Sequence, residues 1–292
     1  MNIFMLSVNE YIYSTNRIFE EAKKRGHNIR IVNHTKCTVK LSNKKRGVFY
    51  NGRNVLNDPK IIIPRIGTSV TQHGSNIVKE FELNGIKSTA SASGIVLSQN
   101  KVQSLQLLSK HKIPIPDTIF SVNPEDISNQ INLLGGAPIV IKLLEGTQGK
   151  GVILADSIPS AKSIIDTFYG MHQRVLLQEF VKESKSEDIR AFVVGDKVVT
   201  AMKRIGAKND FRSNIHQGGR GEIAKLTDKE KEIAIKSAQL LNLPIAGVDL
   251  IRSKRGPLVL EVNSTPGLQG IETFTKVNVA EEIIKYIESS CS

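Results

Sequence analysis

The chain predicts a mixed fold, an α/β lobe followed by two α+β lobes, and three observations carry that reading. Strand and helix patterns alternate over residues 1–90, which is the mark of a parallel sheet. From Pro138 onward the pattern turns to strands broken by single helices. At 292 residues the chain can bury a large core and hold one to three packed lobes, with no internal repeat or low-complexity linker between them.

The first strand is Asn2–Ser7. A helix from Ser14 follows, closed by Gly26 after Lys23-Lys24-Arg25, a basic last turn and a glycine stop. A strand at Asn28–Asn33 leads into a polar, basic excursion through Arg53, and Ile61-Ile62-Ile63 forms a third strand running into Pro64-Arg65-Ile66-Gly67. Residues 91–135 read as helical: Ser91–Lys110, a break at Pro114 and Pro116, then Asn123–Leu134, stopped by Gly135-Gly136. Strands are predicted at Ile139–Lys142, Gly151–Ala155, Val175–Phe180, Asp188–Val194 and Lys197–Lys203, the last two joined by a Gly195-Asp196 turn. One helix, Ser160–Tyr169, interrupts them. Arg204–Gly221 has no regular period and reads as a long loop. Thr227–Asn242 is an amphipathic helix, a hairpin follows, and Val279–Ser289 closes the chain as a helix.

Bulk properties exclude several classes. No apolar run reaches the length of a membrane span, and Met1–Leu6 lacks the basic start and cleavage site of a signal peptide, so a cytoplasmic, membrane-free protein is expected. Cys37 and Cys291 are the only cysteines, with no His or Cys at ligand spacing, which argues against a disulfide scaffold and a zinc site. The histidines form no i, i+4 pair and no nucleophile elbow appears, so hydrolytic triads gain no support. The net charge of +12 predicts an acidic partner. Tryptophan is absent and aromatics are 5%, which speaks against a base-stacking surface; no sequence-specific nucleic-acid binding is expected.

The hairpin near the C-terminus carries the sharpest chemical signal. Gly247–Ile251 and Leu258–Asn263 flank the turn Ser253-Lys254-Arg255-Gly256. With the turn centred near Arg255, Asp249 faces Glu261, and Glu261 and Asn263 share its face because side chains alternate along a strand. Leu250, Leu258, Leu260 and Val262 then point into the core. Three oxygen-bearing side chains in otherwise buried strands suit a hard cation such as Mg²⁺ or Mn²⁺; ordinary acids on a solvent face are the alternative.

Further groups point toward phosphate. Lys142 ends an apolar strand and is followed by Glu145-Gly146-Thr147-Gln148-Gly149-Lys150-Gly151, either a glycine flap aiming N–H groups at an anion or a plain glycine-rich turn. Lys101 sits at a helix start, against the helix dipole unless an anion is present. The strand Val175–Val181 is interrupted by Gln178-Glu179, and Asp188 follows at a distance that suits a ribose hydroxyl. Arg204, Arg212, Ser213, Asn214 and Arg220 fall in the long loop, where arginines serve as clamps for phosphate or carboxylate.

Taken in order, these pieces resemble the ATP-grasp superfamily, and within it the RimK family. The resemblance rests on Pro64-Arg65-Ile66-Gly67-Thr68, Gly135-Gly136-Ala137-Pro138, Lys142–Gly149, Asp188-Ile189-Arg190, Val193–Asp196, Asp210-Phe211-Arg212-Ser213-Asn214, Ala246–Asp249 and Arg255–Asn263. It runs from Met1 to the final helix. It implies an ATP-grasp fold with an N-terminal pre-ATP-grasp α/β lobe (1–90), a central lobe with the glycine flap (91–185) and a C-terminal lobe with the metal-binding hairpin (186–292). It further implies ATP and two Mg²⁺ or Mn²⁺ ions, with Asp249, Glu261 and Asn263 as metal ligands. Lys101 and Lys142 would contact the phosphates, Glu179 and the Phe180 backbone the adenine, and Asp188 the ribose. Arg212, Ser213 and Asn214 would belong to the nucleotide site, and Arg204 would face the transferred phosphoryl group or a substrate carboxylate as the catalytic residue. The implied activity is addition of L-glutamate to the C-terminus of small-subunit ribosomal protein six by a homo-oligomer, a tetramer by resemblance. The alternative is a related amino-acid ligase acting on another carrier protein or a small-molecule carboxylate.

Overall fold

The computed structural model describes residues 1–44, 46–122, 124–144, 151–207 and 219–291. The expected flap glycines 146 and 149, and Arg212, Ser213 and Asn214, lie outside the described residues.

The N-terminal part contains β1 (Asn2–Ser7), α1 (Tyr13–Lys24), β2 (Asn28–Val32), β3 (Thr38–Lys40), β4 (Gly47–Tyr50), β5 (Arg53–Asn54), β6 (Ile61–Arg65), α2 (Thr71–Leu83) and β7 (Lys87–Ser88). Four of these strands form a parallel sheet in the order β2-β1-β6-β7. The predicted polar excursion is in fact a three-stranded antiparallel meander, β3-β4-β5. Cys37 just before it, Val48 within it, and Val55 and Leu56 just after it are buried, so packing onto the core overrides a locally polar sequence.

Two helices follow, α3 (Ala92–Gln99) and α4 (Lys101–Lys110). Asn100 ends one and caps the next, its side chain accepting from the Gln103 N–H. Central strands β8 (Thr118–Phe120), β9 (Ile139–Leu143), β10 (Val152–Ala155) and β11 (Val175–Glu179) form an antiparallel sheet in the order β10-β9-β11-β8, backed by α5 (Ile127–Leu133) and α6 (Ile158–Gly170). The core of this part is self-contained, built from residues such as Ile131, Ile139, Ile141, Ile165 and Leu177.

The C-terminal part holds β12 (Glu187–Val194), β13 (Lys197–Ile205), β14 (Arg220–Ile223), α7 (Asp228–Leu240), β15 (Ile245–Ser253), β16 (Gly256–Asn263), α8 (Gln269–Thr275) and α9 (Val279–Cys291). Its antiparallel sheet runs β14-β13-β12-β15-β16. The predicted loop at Arg204–Gly221 is therefore shorter than expected: Arg204 is in β13, opposite Asp188, and Arg220 opens β14, opposite Ile205. A strand whose polar side chains are matched by cross-strand partners shows no apolar period, so it reads as a loop in the sequence. Two hydrophobic clusters join the N-terminal and C-terminal sheets. One pairs Phe4, Leu6 and Ile62 with Ile189, Val248 and Leu250; the other pairs Ile3, Met5 and Ile63 with Phe192, Ile283 and Ile287. The C-terminal sheet is thus fixed to the N-terminal part. Among the described residues, no helix is long and apolar enough to cross a membrane.

Candidate active site

One face of the C-terminal sheet carries the polar constellation. Asp188 and Arg190 are two apart on β12, so they share a face. Arg204 lies opposite Asp188 on β13, Asp249 opposite Arg190 on β15, and Glu261 opposite Asp249 on β16. Ile189, Val248, Leu250 and Val262 alternate with them and fill the core behind.

The Asp249–Glu261 pairing depends on a β-bulge. The turn closes at Ser253–Gly256, and Leu250 pairs with Val259; an irregularity between Asp249 and Leu250 then brings Glu261, not Leu260, opposite Asp249. The extra residue in β16 re-aims its side chains. Leu250 and Val262 do face the core as expected, but Leu258 and Leu260 do not join them. They turn to the other side, against Ile251 and Val181, where they form an apolar patch beside the polar constellation. Val259 takes the core position, fully buried.

Asp249 is buried and held by one fork and one single contact. Arg190 donates to its Oδ1 and Oδ2 at 2.7 and 2.6 Å, and Arg204 Nη2 donates to Oδ2 at 2.7 Å. Burial works to raise the Asp249 pKa, but the two guanidinium groups outweigh it and hold the carboxyl well below the usual range. Arg204 also grips Asp188 in a bidentate pair, both contacts 2.6 Å. Around Asp188, burial, helped by the negative Asp249, outweighs the pull of Arg204 and Arg190, and its pKa is pushed up to about 6. Against the cost of burial, Asp249 and Asp188 together raise the Arg204 pKa. The expected loop clamp is therefore a strand residue locked between two carboxylates.

Glu261 is exposed, with its Oε1 accepting from Asn263 Nδ2 at 3.2 Å and lying 3.9 Å from Arg190 Nη2. Asn263 Nδ2 also donates to the Gly247 carbonyl, so its Oδ1 remains the acceptor of that amide. The donor set of two carboxylates and one amide oxygen fits a hard cation. No group of three or more His, Cys, Asp or Glu side chains poised for a metal occurs among the described residues, so a cation here needs the Asn263 amide and oxygens from its ligand to complete its shell. It also needs Asp249 to release part of its arginine contacts.

Above this face, Lys142 projects from β9. Its Nζ donates to Gln178 Oε1 at 2.6 Å, and Gln178 in turn donates to Thr118. Burial lowers the Lys142 pKa, opposed by Glu261 and reinforced by Lys101. Lys101 is the first residue of α4, its Nζ donating to the Leu144 carbonyl at 2.9 Å; burial lowers its pKa too, opposed by Glu261. The two lysines and the acids of the lower sheet thus face one another across the gap between the sheets.

Glu179 ends β11. Its Oε1 accepts from the Asp117 N–H at 2.9 Å and pairs with Arg255 in the β15–β16 turn, so the side chain ties the hairpin to the central sheet. Phe180 is half-buried next to it, and Val181 leads onto the apolar patch with Ile251, Leu258 and Leu260. The structure thus brings Lys101, Lys142, Asp188, Arg204, Asp249, Glu261 and Asn263 around one gap, with Glu179 and Phe180 at its edge. Sequence reasoning left two members without a role. Arg190 stands at i+2 from Asp188, which puts it on the same strand face, and Gln178 is a buried polar residue (2% exposed) in an apolar strand; both signals were readable.

Lys142 on the central sheet and Lys101 at the start of α4 thus face an acid-bearing hairpin across a gap, an arrangement suited to a nucleotide and its metal. Solved ATP-grasp ligases share the fold. The ligase PsnB, complexed with a phosphomimetic variant of its minimal precursor, Mg and ADP, superimposes with a TM-score of 0.79 at 18% identity, covering 100% of this chain and 98% of that one. D-alanine–D-alanine ligase from Bacillus anthracis, complexed with ATP, gives 0.69 at 16% identity, with 99% and 96% covered. The chain matches the RimK PreATP-grasp domain over residues 1–95 and the RimK-like ATP-grasp domain over 98–287. Probable alpha-L-glutamate ligases are its curated relatives: one from Aliivibrio fischeri is 44% identical over 292 residues, 100% of this chain and 97% of the relative. Another, from Legionella pneumophila, is 47% identical over 288 residues, 99% and 95%. The chain belongs to the RimK-like ATP-grasp family.

Proposed function

We propose that the protein joins L-glutamate to the C-terminal carboxylate of small-subunit ribosomal protein six, using ATP and an acyl phosphate intermediate, and that it adds glutamate repeatedly. The observation that carries the ligase chemistry is the single face holding Arg204, Asp188, Arg190, Asp249, Glu261 and Asn263 beneath Lys142 and Lys101. The glutamate assignment is supported by the relatives at 44% and 47% identity.

In this reading ATP lies in the gap, its adenine on the patch of Val181, Ile251, Leu258 and Leu260, with Glu179 and the Phe180 backbone at the edge. Lys142 and Lys101 offset phosphate charge, and Asp188 meets the ribose. Asp249, Glu261 and Asn263 would hold two Mg²⁺ or Mn²⁺ ions, which would supply positive charge at the transferred phosphate. A carboxylate oxygen of the acceptor bonds to the γ-phosphorus as its bond to the bridging oxygen breaks and ADP leaves. The glutamate nitrogen then bonds to the acyl carbon, inorganic phosphate leaves, and the amine gives up its proton. Arg204 and Arg190, held by Asp188 and Asp249, present their remaining N–H groups to the oxyanion. Arg212, Ser213 and Asn214 complete the nucleotide site.

The net charge of +12 favours retention of a tail that gains negative charge at each round. The predicted result is a shorter distribution of tails as ionic strength rises; a distribution indifferent to salt rules out electrostatic retention. Mass spectrometry of the ribosomal protein after incubation with enzyme, ATP and glutamate tests the function directly. A ladder of added glutamyl masses is expected. No mass gain, with glutamylation of a different carrier or small acid instead, would move the acceptor to that molecule.

A further inference from the structure

Among the described residues, Arg65 is a buried cation without an anion. It is the last residue of β6 and only 9% exposed. Its Nη2 donates to the Pro266 carbonyl at 2.9 Å, and its Nε has no hydrogen-bond partner. Burial alone acts on its pKa, pushing it down to about 10, with no carboxylate opposing. The half-buried arginines of the site differ: Arg190 and Arg204 are each forked onto an aspartate. A lone charge in such a place is costly, and mere bracing of a loop carbonyl is work a neutral side chain can do.

The position of Arg65 in the fold points to a ligand. The chain leaves β1 for β2 on one side and later returns to place β6 on the other, so the sheet reverses direction between β1 and β6. Ser7 and Arg65, the last residues of these two strands, are direct partners. Open parallel sheets bind ligands outside the carboxyl ends of their strands at this reversal. The helix that follows β1 adds a positive end: α1 has no side-chain cap at Ile12 and no acid in its first turn. Both features grip the same segment. Ser14 Oγ accepts from the Leu268 N–H at 2.9 Å while Arg65 donates to Pro266. That segment follows Asn263 and packs on the catalytic face, where a Cβ added to Gly247 would meet Pro266 at 2.9 Å and Arg190 at 3.7 Å. Arg65 thus stands one proline away from the polar constellation.

We propose that Arg65 binds a non-reacting carboxylate of one of the two ligation substrates, in the crevice between the end of the N-terminal sheet and the segment 264–268. The inference rests on the ligase reading above and extends it to substrate selection. A guanidinium fork matches a carboxylate in two parallel hydrogen bonds, and both the free amino acid and the acceptor terminus carry carboxylates that survive the reaction.

The test uses the full chain with Arg65→Met and Arg65→Lys. Calorimetric titration with L-glutamate, and separately with a peptide carrying the acceptor C-terminus, is compared with thermal unfolding and steady-state kinetics. The expected result is an Arg65→Met protein at least as heat-stable as wild type, because removing an unpaired buried charge is not destabilising. Its affinity for one of the two probes falls at least tenfold and the KM of that substrate rises accordingly, with kcat changed much less; Arg65→Lys recovers part of the binding. Whichever probe weakens identifies the substrate held. Unchanged affinity for both probes, or a large loss of heat stability with binding intact, overturns the inference and makes Arg65 a strut. Wild-type ligation of an amino acid other than glutamate would overturn the glutamate assignment alone, and the same Met-for-Arg comparison on that amino acid would still decide the role of Arg65.

Discussion

At the scale of single residues, charge pairing explains most of what the site does before any ligand arrives. Asp249 is unusual in holding two arginines, whereas Glu261 is exposed and only lightly held. The two acids should therefore respond differently to substitution. Glu261→Gln is expected to leave the unfolding temperature unchanged while lowering ATP turnover on the order of 100-fold or more, measured as ADP release; undiminished turnover would remove Glu261 from the metal set. Arg190→Met should act the other way. It leaves Asp249 buried with one cation in place of two, and stability should fall by about 3 kcal/mol in urea unfolding without divalent ions. Excess Mg²⁺ should restore part of that loss, since a cation at Asp249 substitutes for the missing guanidinium.

At the scale of elements, the β15–β16 hairpin shows how much a strand pattern reveals and where it stops. Alternation and the turn residues brought Glu261 and Asn263 to one face, but their pairing with Asp249 comes from the bulge, because the turn closes at Ser253–Gly256 rather than around Arg255. Those signals were not enough to place Leu258 and Leu260, because a bulge inserts one residue and flips everything beyond it, and nothing in an apolar run marks which residue is the extra one. The same limit hid the strand character of Arg204, whose partner Asp188 is far from obvious in the sequence. Helix packing gives a further test at this scale. Gly94, in α3, lies so close to the end of α7 that an added Cβ would meet the Leu241 carbonyl at 2.4 Å. Backbone cannot yield cheaply, so Gly94→Ala should cost roughly 2 kcal/mol despite alanine's better helix propensity. A stabilised variant in chemical denaturation would mean that the two helices part easily.

At the scale of the whole molecule, the N-terminal part and the C-terminal sheet share their hydrophobic clusters, so global stability responds to groups far from the site. His34 is fully buried, neither ring nitrogen has a hydrogen-bond partner, and burial, helped by His73, pushes its pKa down to about 4. An unfolded histidine binds protons near pH 6.5, so the unfolded state takes up more protons across the window between these values. Stability is therefore retained above pH 6.5 and lost as the pH falls toward 4. The expected loss from pH 7 to pH 5 is about 2 kcal/mol. His34→Leu should flatten that dependence in equilibrium unfolding; an unchanged slope would assign the acid sensitivity elsewhere. The sequence by itself determined the parallel N-terminal sheet and the acid-bearing hairpin, because these rest on local periodicity and spacing. Tertiary structure alone decided that Arg190 and Arg204 share Asp249, that Gln178 orients Lys142, and that Arg65 is buried without an acid. These depend on which strands become neighbours, and side chains distant in the chain meet only after the sheets have formed.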